Sequence, residues 1–261
     1  MPKVMRQLAS LLSYRELVYL LIVRDLRVRY KRSLLGLLWA FIEPLALMAL
    51  FTVVFTSLFR VSTRHYPMLA LCGIIAWSFF QTGVGHSLSA ITAQASLVKK
   101  VYFPREVLPL AVVLGRFVHC LLSWGLLIPF LAYFHIRPTL ALCLFPVVVL
   151  VQLVFVAGLS LGLSALSTLY EDIAFLVNFA FGAFFYLSGV FFTVEAVPES
   201  LRPLFLLNPM AAIITAYRAL VLGSGPMPWQ ELGVAAIVAV LTLALGYSVF
   251  KRVEWRFVEV L

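Results

Sequence analysis

The sequence predicts an all-α integral membrane protein with six transmembrane helices, an N-terminal interfacial helix and a re-entrant hairpin between helices 5 and 6. Three observations predict it. Of 261 residues, 63% are hydrophobic and 12% charged, whereas soluble domains hold about 45–50% apolar and about 25% charged residues. Six apolar runs reach the about 20 residues that a helix needs to cross the hydrocarbon core, and none alternates polar with apolar positions as membrane strands do. Lysine and arginine, finally, gather in alternate connections.

The first 35 residues form a basic segment in which the apolar ELVYLLIV precedes RDLRVRYKR. Its charges do not collect on one helical face. It reads as an interfacial helix with arginines among anionic headgroups or as a plain positive-inside anchor, and the two are compatible. It is no ordinary signal peptide, because the apolar stretch Leu17–Val23 is short and runs into basic sequence.

Residues 36–261 read as one membrane domain. Its spans are expected near Leu37–Phe59, Met68–Ala90, Leu108–Phe134, Leu140–Ser167, Ile173–Phe192 and Leu232–Phe250. With that assignment, 14 lysines and arginines fall on the side of the termini and of the 97–109 loop, and five on the other. Positive charge marks the cytoplasmic side, so both termini are expected there, in a multi-pass protein of the cytoplasmic (inner) membrane.

The connection over residues 195–228 is long and apolar. Its two pieces, Leu201–Leu207 and Met210–Leu222, are split by Asn208-Pro209, and neither is long enough to cross. That pattern predicts a re-entrant hairpin on the outer side, where a break in the helix survives if protein or a cavity covers it. A seventh, kinked span is the alternative, and it conflicts with the charge count.

Several chemistries find little support. The phosphate-binding G-x-x-x-x-G-K-[ST] loop is absent, since no glycine precedes a lysine. Gly158-Leu-Ser-Leu-Gly162 matches the G-x-S-x-G nucleophile elbow, which requires a strand-to-helix turn. Here it lies mid-span, so a close-packing Gly-x-x-x-Gly face is the expectation. The four histidines are scattered without metal-ligand spacing, and no metal is expected. Cys72, Cys120 and Cys143 read as buried thiols in apolar runs.

Two charges fall inside spans. Glu43 and Arg116 stand about 10 and 12 Å in from the starts of their helices at 1.5 Å per residue. Charges in lipid face partners or water. An intramembrane pair is the leading expectation, with independent water-lining roles or proton coupling as alternatives. The aromatic stripe Phe51, Phe55, Phe59 and the set Phe175, Phe179, Phe184, Phe185 and Tyr186 would either face lipid and pack, or wall a channel by stacking on sugar faces; spacing does not choose.

The stretch Leu97–Leu110, LVKKVYFPREVLPL, is short, basic and stiffened by two prolines. It closely resembles the cytoplasmic loop of ABC transporter type-2 permeases of the polysaccharide-export group. Tyr30–Pro44, YKRSLLGLLWAFIEP, resembles that family's L-G-x-x-W-x-x-x-x-P opening. Asn208-Pro209-Met210 with Tyr217-Arg218, and the ending GYSVFKRVEWRFVEVL, are similar to its last segments. The resemblance implies a permease subunit, not an enzyme, that pairs with itself and with two copies of a separate P-loop ATPase. ATP and Mg would bind that partner. The expected cargo is a lipid-linked polysaccharide of O-antigen or teichoic acid type, with capsular polysaccharide, a lipid or a small drug as alternatives; nucleic acid is not an expected partner. Lys99, Lys100, Tyr102, Phe103, Pro104, Arg105 and Glu106 would then contact the ATPase, with the aromatic rings as buried anchors and Glu106 at a helix start.

Overall fold

The structure, a computed structural model, describes residues 14–30, 35–60, 65–101, 103–136, 140–223 and 225–261. Residues 1–13 and 31–34 of the basic N-terminal segment, and Tyr102, lie outside these. The described α-helices, in chain order, are α1 (Arg15–Tyr30), α2 (Trp39–Val53), α3 (Tyr66–Ser87), α4 (Ala95–Lys100), α5 (Val107–Trp124) and α6 (Leu127–Tyr133). They continue with α7 (Phe145–Leu169), α8 (Asp172–Leu187), α9 (Arg202–Leu206), α10 (Pro209–Leu222), α11 (Trp229–Val253) and α12 (Phe257–Val260). Among the described residues there is no strand.

Among the described residues, five helical stretches are long and apolar enough to cross a membrane: Gly36–Leu58, Tyr66–Ser87, Val107–Tyr133, Leu140–Leu169 and Trp229–Val260. They match five of the six predicted spans. The run predicted over Ile173–Phe192 is shorter than expected, because α8 ends at Leu187 after 16 residues. At 1.5 Å per residue that is about 24 Å, against about 30 Å of hydrocarbon. The cause is local. Gly189 adopts φ 64°, a backbone region that glycine enters without steric cost, and the chain beyond it is held in a turn by Arg218.

Helix α3 is the centre of the bundle. In its most apolar window 78% of residues are buried, against 17% for α2, and α2, α5, α7, α8 and α10 all pack on it. The most extensive helix pair is α7 with α11. They approach backbone to backbone. A Cβ on Gly158 would stand 2.5 Å from the Leu243 amide nitrogen, one on Gly162 3.2 Å from the Gly246 Cα, and one on Gly246 would fall on the Gly158 carbonyl oxygen. Ser160, between the two glycines, is buried and donates to the Gly83 carbonyl at 3.4 Å. The G-x-S-x-G letters therefore serve helix packing.

Two small clusters tie the ends of the bundle. At one end Tyr66, the turn after α8 and the second half of α10 meet. At the other, Ile91, Val98, Phe103, Leu108, Leu161, Ala165, Phe250 and Phe257 form an apolar core against which Tyr14, Leu17 and Leu21 pack. This second core collects α1, the 97–109 loop and the ends of α7 and α11. Of the cysteines, Cys72 and Cys120 are buried as expected, but Cys143 is exposed, since it lies in the 3₁₀ turn Leu140–Leu144 that leads into α7.

Candidate functional site

The 97–109 loop is helical at first. Helix α4 ends at Lys100, Val101 is extended, and a turn over Pro104–Glu106 starts α5 at Val107. Lys99, Lys100 and Val101 are exposed. Phe103 and Glu106 turn the other way and are 6% and 2% exposed. Phe103 sits in the apolar core with Phe250 and Phe257, whose rings meet edge to face at 5.5 Å. The Glu106 carboxylate accepts from Lys251 Nζ at 2.9 Å, and Lys251 also reaches Glu254 at 3.0 Å. Arg105 Nη1 donates to the Glu254 carbonyl oxygen. Pro104 and Arg105 are half-buried.

The loop therefore has two faces. Phe103 and Glu106, expected as contacts for the ATPase, are instead buried within the chain. A phenyl ring gains more from a formed core than from water, and a carboxylate so buried requires a charged or hydrogen-bonded partner, which Lys251 supplies. Lys99, Lys100 and Val101 remain as the outward edge, while Tyr102 lies outside the described residues. The braces from α11 and the segment after it were not legible in the local motif, because Lys251 and Glu254 come some 150 residues later.

Arg116 and Glu43 are not brought together. Arg116 is buried, and its Nη2 lies 3.6 Å from Asp25 Oδ2 on α1. Glu43 is exposed on α2. Depth along a helix does not fix rotation about its axis, and Asp25 stands in a segment dominated by cations. The one sequence sign was an acid inside RDLRVRY.

At the opposite end Asn208, Pro209, Tyr217 and Arg218 do converge. Asn208 caps α10 by accepting from the Met210 amide at 3.0 Å, and its Nδ2 donates to the Leu187 carbonyl (3.2 Å) and Ser188 Oγ (3.0 Å). Pro209 occupies the first turn, where its missing N–H is no loss. The Arg218 guanidinium donates to three carbonyls: Leu69 at 3.1 Å, Phe192 at 2.7 Å and Val190 at 2.6 Å. Gly73 leaves room for it, since a Cβ there would stand 2.9 Å from Arg218 Nη2. Tyr66 donates to Phe191 O at 2.9 Å. Tyr217 donates to Gln152 Oε1 at 2.9 Å, and Gln152 donates to Ala76 O at 2.7 Å. Ten of the 14 residues of α10 are buried, so this short apolar helix belongs to the core.

The aromatic set divides. Phe51, Phe55 and Phe185 are half-buried around Phe191, with centroid distances from Phe191 of 5.7, 5.0 and 5.7 Å. Phe59 stacks on Phe55 at 5.4 Å while remaining exposed. Phe175, Phe179, Phe184 and Tyr186 are exposed along α8, of which Phe181 alone is buried. Phe191, the hub of the cluster, is one of the aromatics of the predicted fifth span, but it lies in the turn beyond Leu187 rather than in the helical stripe.

Comparison with known proteins agrees with this architecture. Residues 16–222 match the ABC-2 type transporter family. The chain is 33% identical to an O-antigen export system permease protein, RfbA, of Myxococcus xanthus over 97% of its own length and 98% of the relative's. It is 28% identical to an RfbA of Klebsiella pneumoniae over 94% and 95% of the two chains. Against a capsule polysaccharide export inner-membrane protein, CtrC, of Neisseria meningitidis the identity is 25%, over 94% of each chain. The matched residues, the five apolar helices and the end-to-end alignment with export permeases lead to one conclusion: this multi-pass membrane protein belongs to the ABC-2 type transporter family.

Proposed function

We propose that the chain is the membrane subunit of an ATP-driven exporter that moves lipid-linked polysaccharide of O-antigen type across the inner membrane. The observation that carries the reading is the full-length similarity to permeases named for O-antigen export, stronger than that to permeases named for capsule export. In this reading two copies form one channel, and two copies of a separate ATPase bind ATP and Mg.

The α1 and α12 end of the bundle faces the cytoplasm, and α1 lies along the lipid interface. Support comes from the shared apolar core, which puts α1, α12 and the loop at one end. Helix α8 is the sixth span: it begins beside the end of α7 and finishes at the Tyr66 end of the bundle, thinning the membrane slightly to suit its length. The α9–α10 hairpin enters from the outer side. Helices α2 and α8, which bury few of their residues, meet the second copy, and their aromatic rings wall the channel there.

Force enters at Lys99 and Lys100. The ATPase closes and pushes the loop. Because Glu106 and Arg105 hold Lys251 and Glu254, the push reaches the end of α11, and α11 is keyed to α7 through Gly158 and Gly246. A loop braced in this way moves as a lever, not as a hinge. The test is to make Lys99→Glu with Lys100→Glu and to measure co-purification of the ATPase and its turnover in the complex. Both should fall, while the amount of folded permease stays the same because the two lysines touch solvent. Unchanged capture and turnover would refute the assignment.

A further inference from the structure

Beneath α1 lies a cavity of about 200 Å³, ample for several water molecules. It is bounded by α1, α5, the end of α3 and the turn before α4, and its polar lining is Arg24, Asp25, His86, Ser89, Gln94 and Arg116. The export reading gives it no task.

Its chemistry is unusual in one respect. Arg116 is 6% exposed, yet among the described residues its Nε and Nη1 find no hydrogen-bond partner. A guanidinium taken out of water needs acceptors for its fork of N–H groups. Asp25 does not supply them: the 3.6 Å separation is too long for a hydrogen bond, and Asp25 Oδ2 itself finds no donor among the described residues. Arg24 adds a second cation at the rim, with Nη1 donating to Gln94 Oε1 at 3.1 Å. A loose ion pair beside idle guanidinium edges is arranged to admit a third group.

We propose that this cavity binds a phosphoryl anion, with Arg116 and Arg24 as the cations that hold it. Tetrahedral phosphoryl oxygens match the planar fork of arginine in bidentate fashion, and a charge within a membrane helix usually faces such a pathway or ligand. The anion's source is a lipid headgroup or free phosphate. Tyr19 and Leu20 on α1 are exposed and offer apolar surface on the same helix to an acyl chain. Asp25 is the built-in competitor: it repels the anion and weakens its hold.

The purified full-length permease in detergent, without ATP or ATPase, is titrated with phosphatidic acid, with diacylglycerol of the same chains, and with inorganic phosphate. The thermal midpoint and retained lipid by native mass spectrometry are recorded. Phosphatidic acid should raise the midpoint and stay bound where diacylglycerol does not. Arg24→Gln should weaken binding about tenfold, the loss expected for one charge-assisted contact, and Asp25→Asn should tighten it. Arg116→Gln should abolish it; if that variant fails to fold, the opposed effects of the other two still decide. A response to phosphatidic acid alone assigns the site to a headgroup, and an equal response to phosphate assigns it to the free ion. No response to either, or one that ignores both Arg24→Gln and Asp25→Asn, overturns the proposal and leaves the export reading untouched.

Discussion

The Glu106–Lys251 brace makes an asymmetric prediction. Glu106 is 2% exposed and its carboxylate meets Lys251 Nζ at 2.9 Å; the Lys251 side chain is 27% exposed and keeps a second acceptor, Glu254, at 3.0 Å. Removing the acid by Glu106→Gln deletes one charge-assisted hydrogen bond, worth about 1.5–3 kcal/mol, and the lysine retains both Glu254 and water. The lower end, about 1.5 kcal/mol, is expected. Removing the base by Lys251→Met strands a buried carboxylate, which costs about 3–5 kcal/mol. The double variant removes the stranded charge as well, so it should be more stable than Lys251→Met alone. Thermal unfolding of the purified permease checks the order. At about 2–4 °C per kcal/mol for a chain of this size, Lys251→Met should melt on the order of 10 °C below the parent, and the double variant should recover part of that loss. If Glu106→Gln proves as damaging as Lys251→Met, or the double variant is the worst of the three, the carboxylate is not stabilised by this partner and the lever argument loses its basis.

Other outcomes follow from the same geometry. Gly246→Ala should lower the yield of folded protein because its methyl group meets the Gly158 carbonyl, whereas Gly182→Ala, with nothing within 4 Å, should be neutral or raise stability by up to about 1 kcal/mol through helix propensity; expression and detergent melting curves compare the two. Arg218→Lys keeps the charge but has one nitrogen to serve three carbonyls. It should destabilise by about 2 kcal/mol or more, and faster proteolysis after Leu187 would report the loosened turn. The Thr193 hydroxyl, by hydrogen bonding, holds the Glu195 carboxyl below its usual range. A depressed folded-state value means stability that is full above the ordinary carboxylate pKa and is lost as pH falls through the lowered one. The melting difference between the parent and Glu195→Gln should accordingly vanish in acid.

Much of the membrane domain was legible in the sequence because hydropathy is local: a long apolar run identifies its helix without knowledge of any neighbour. Five spans were readable in this way. The break at Asn208-Pro209 was equally plain, since proline position and an asparagine cap act within one turn. Close packing at Gly158 and Gly162 could be read from spacing, although Gly246 as their counterpart could not. What escaped depends on contacts distant in sequence. The early end of α8 is set by Arg218, about 30 residues on. The inward turn of Phe103 and Glu106 is set by Phe250, Lys251 and Phe257. The partner of Arg116 depends on where α1 docks against α5, and no periodicity within either helix encodes that. The motif LVKKVYFPREVLPL thus marked a short basic loop without revealing which of its side chains face out.

Both closures of the bundle arrive late in the polypeptide. Arg218, which fastens the turn behind α8 to α3, and Lys251, Phe250 and Phe257, which fasten the basic loop, all belong to the final 44 residues of the 261. A ribosome that has delivered the chain as far as Phe192 has made the carbonyls and the Glu106 carboxylate that Arg218 and Lys251 will grip, and none of the grips. Until α10 and α11 join, the nascent chain keeps open carbonyls at one end and an unpaired acid at the other. A prematurely ended product would lack both fastenings at once and present the marks by which cellular proteases select their targets.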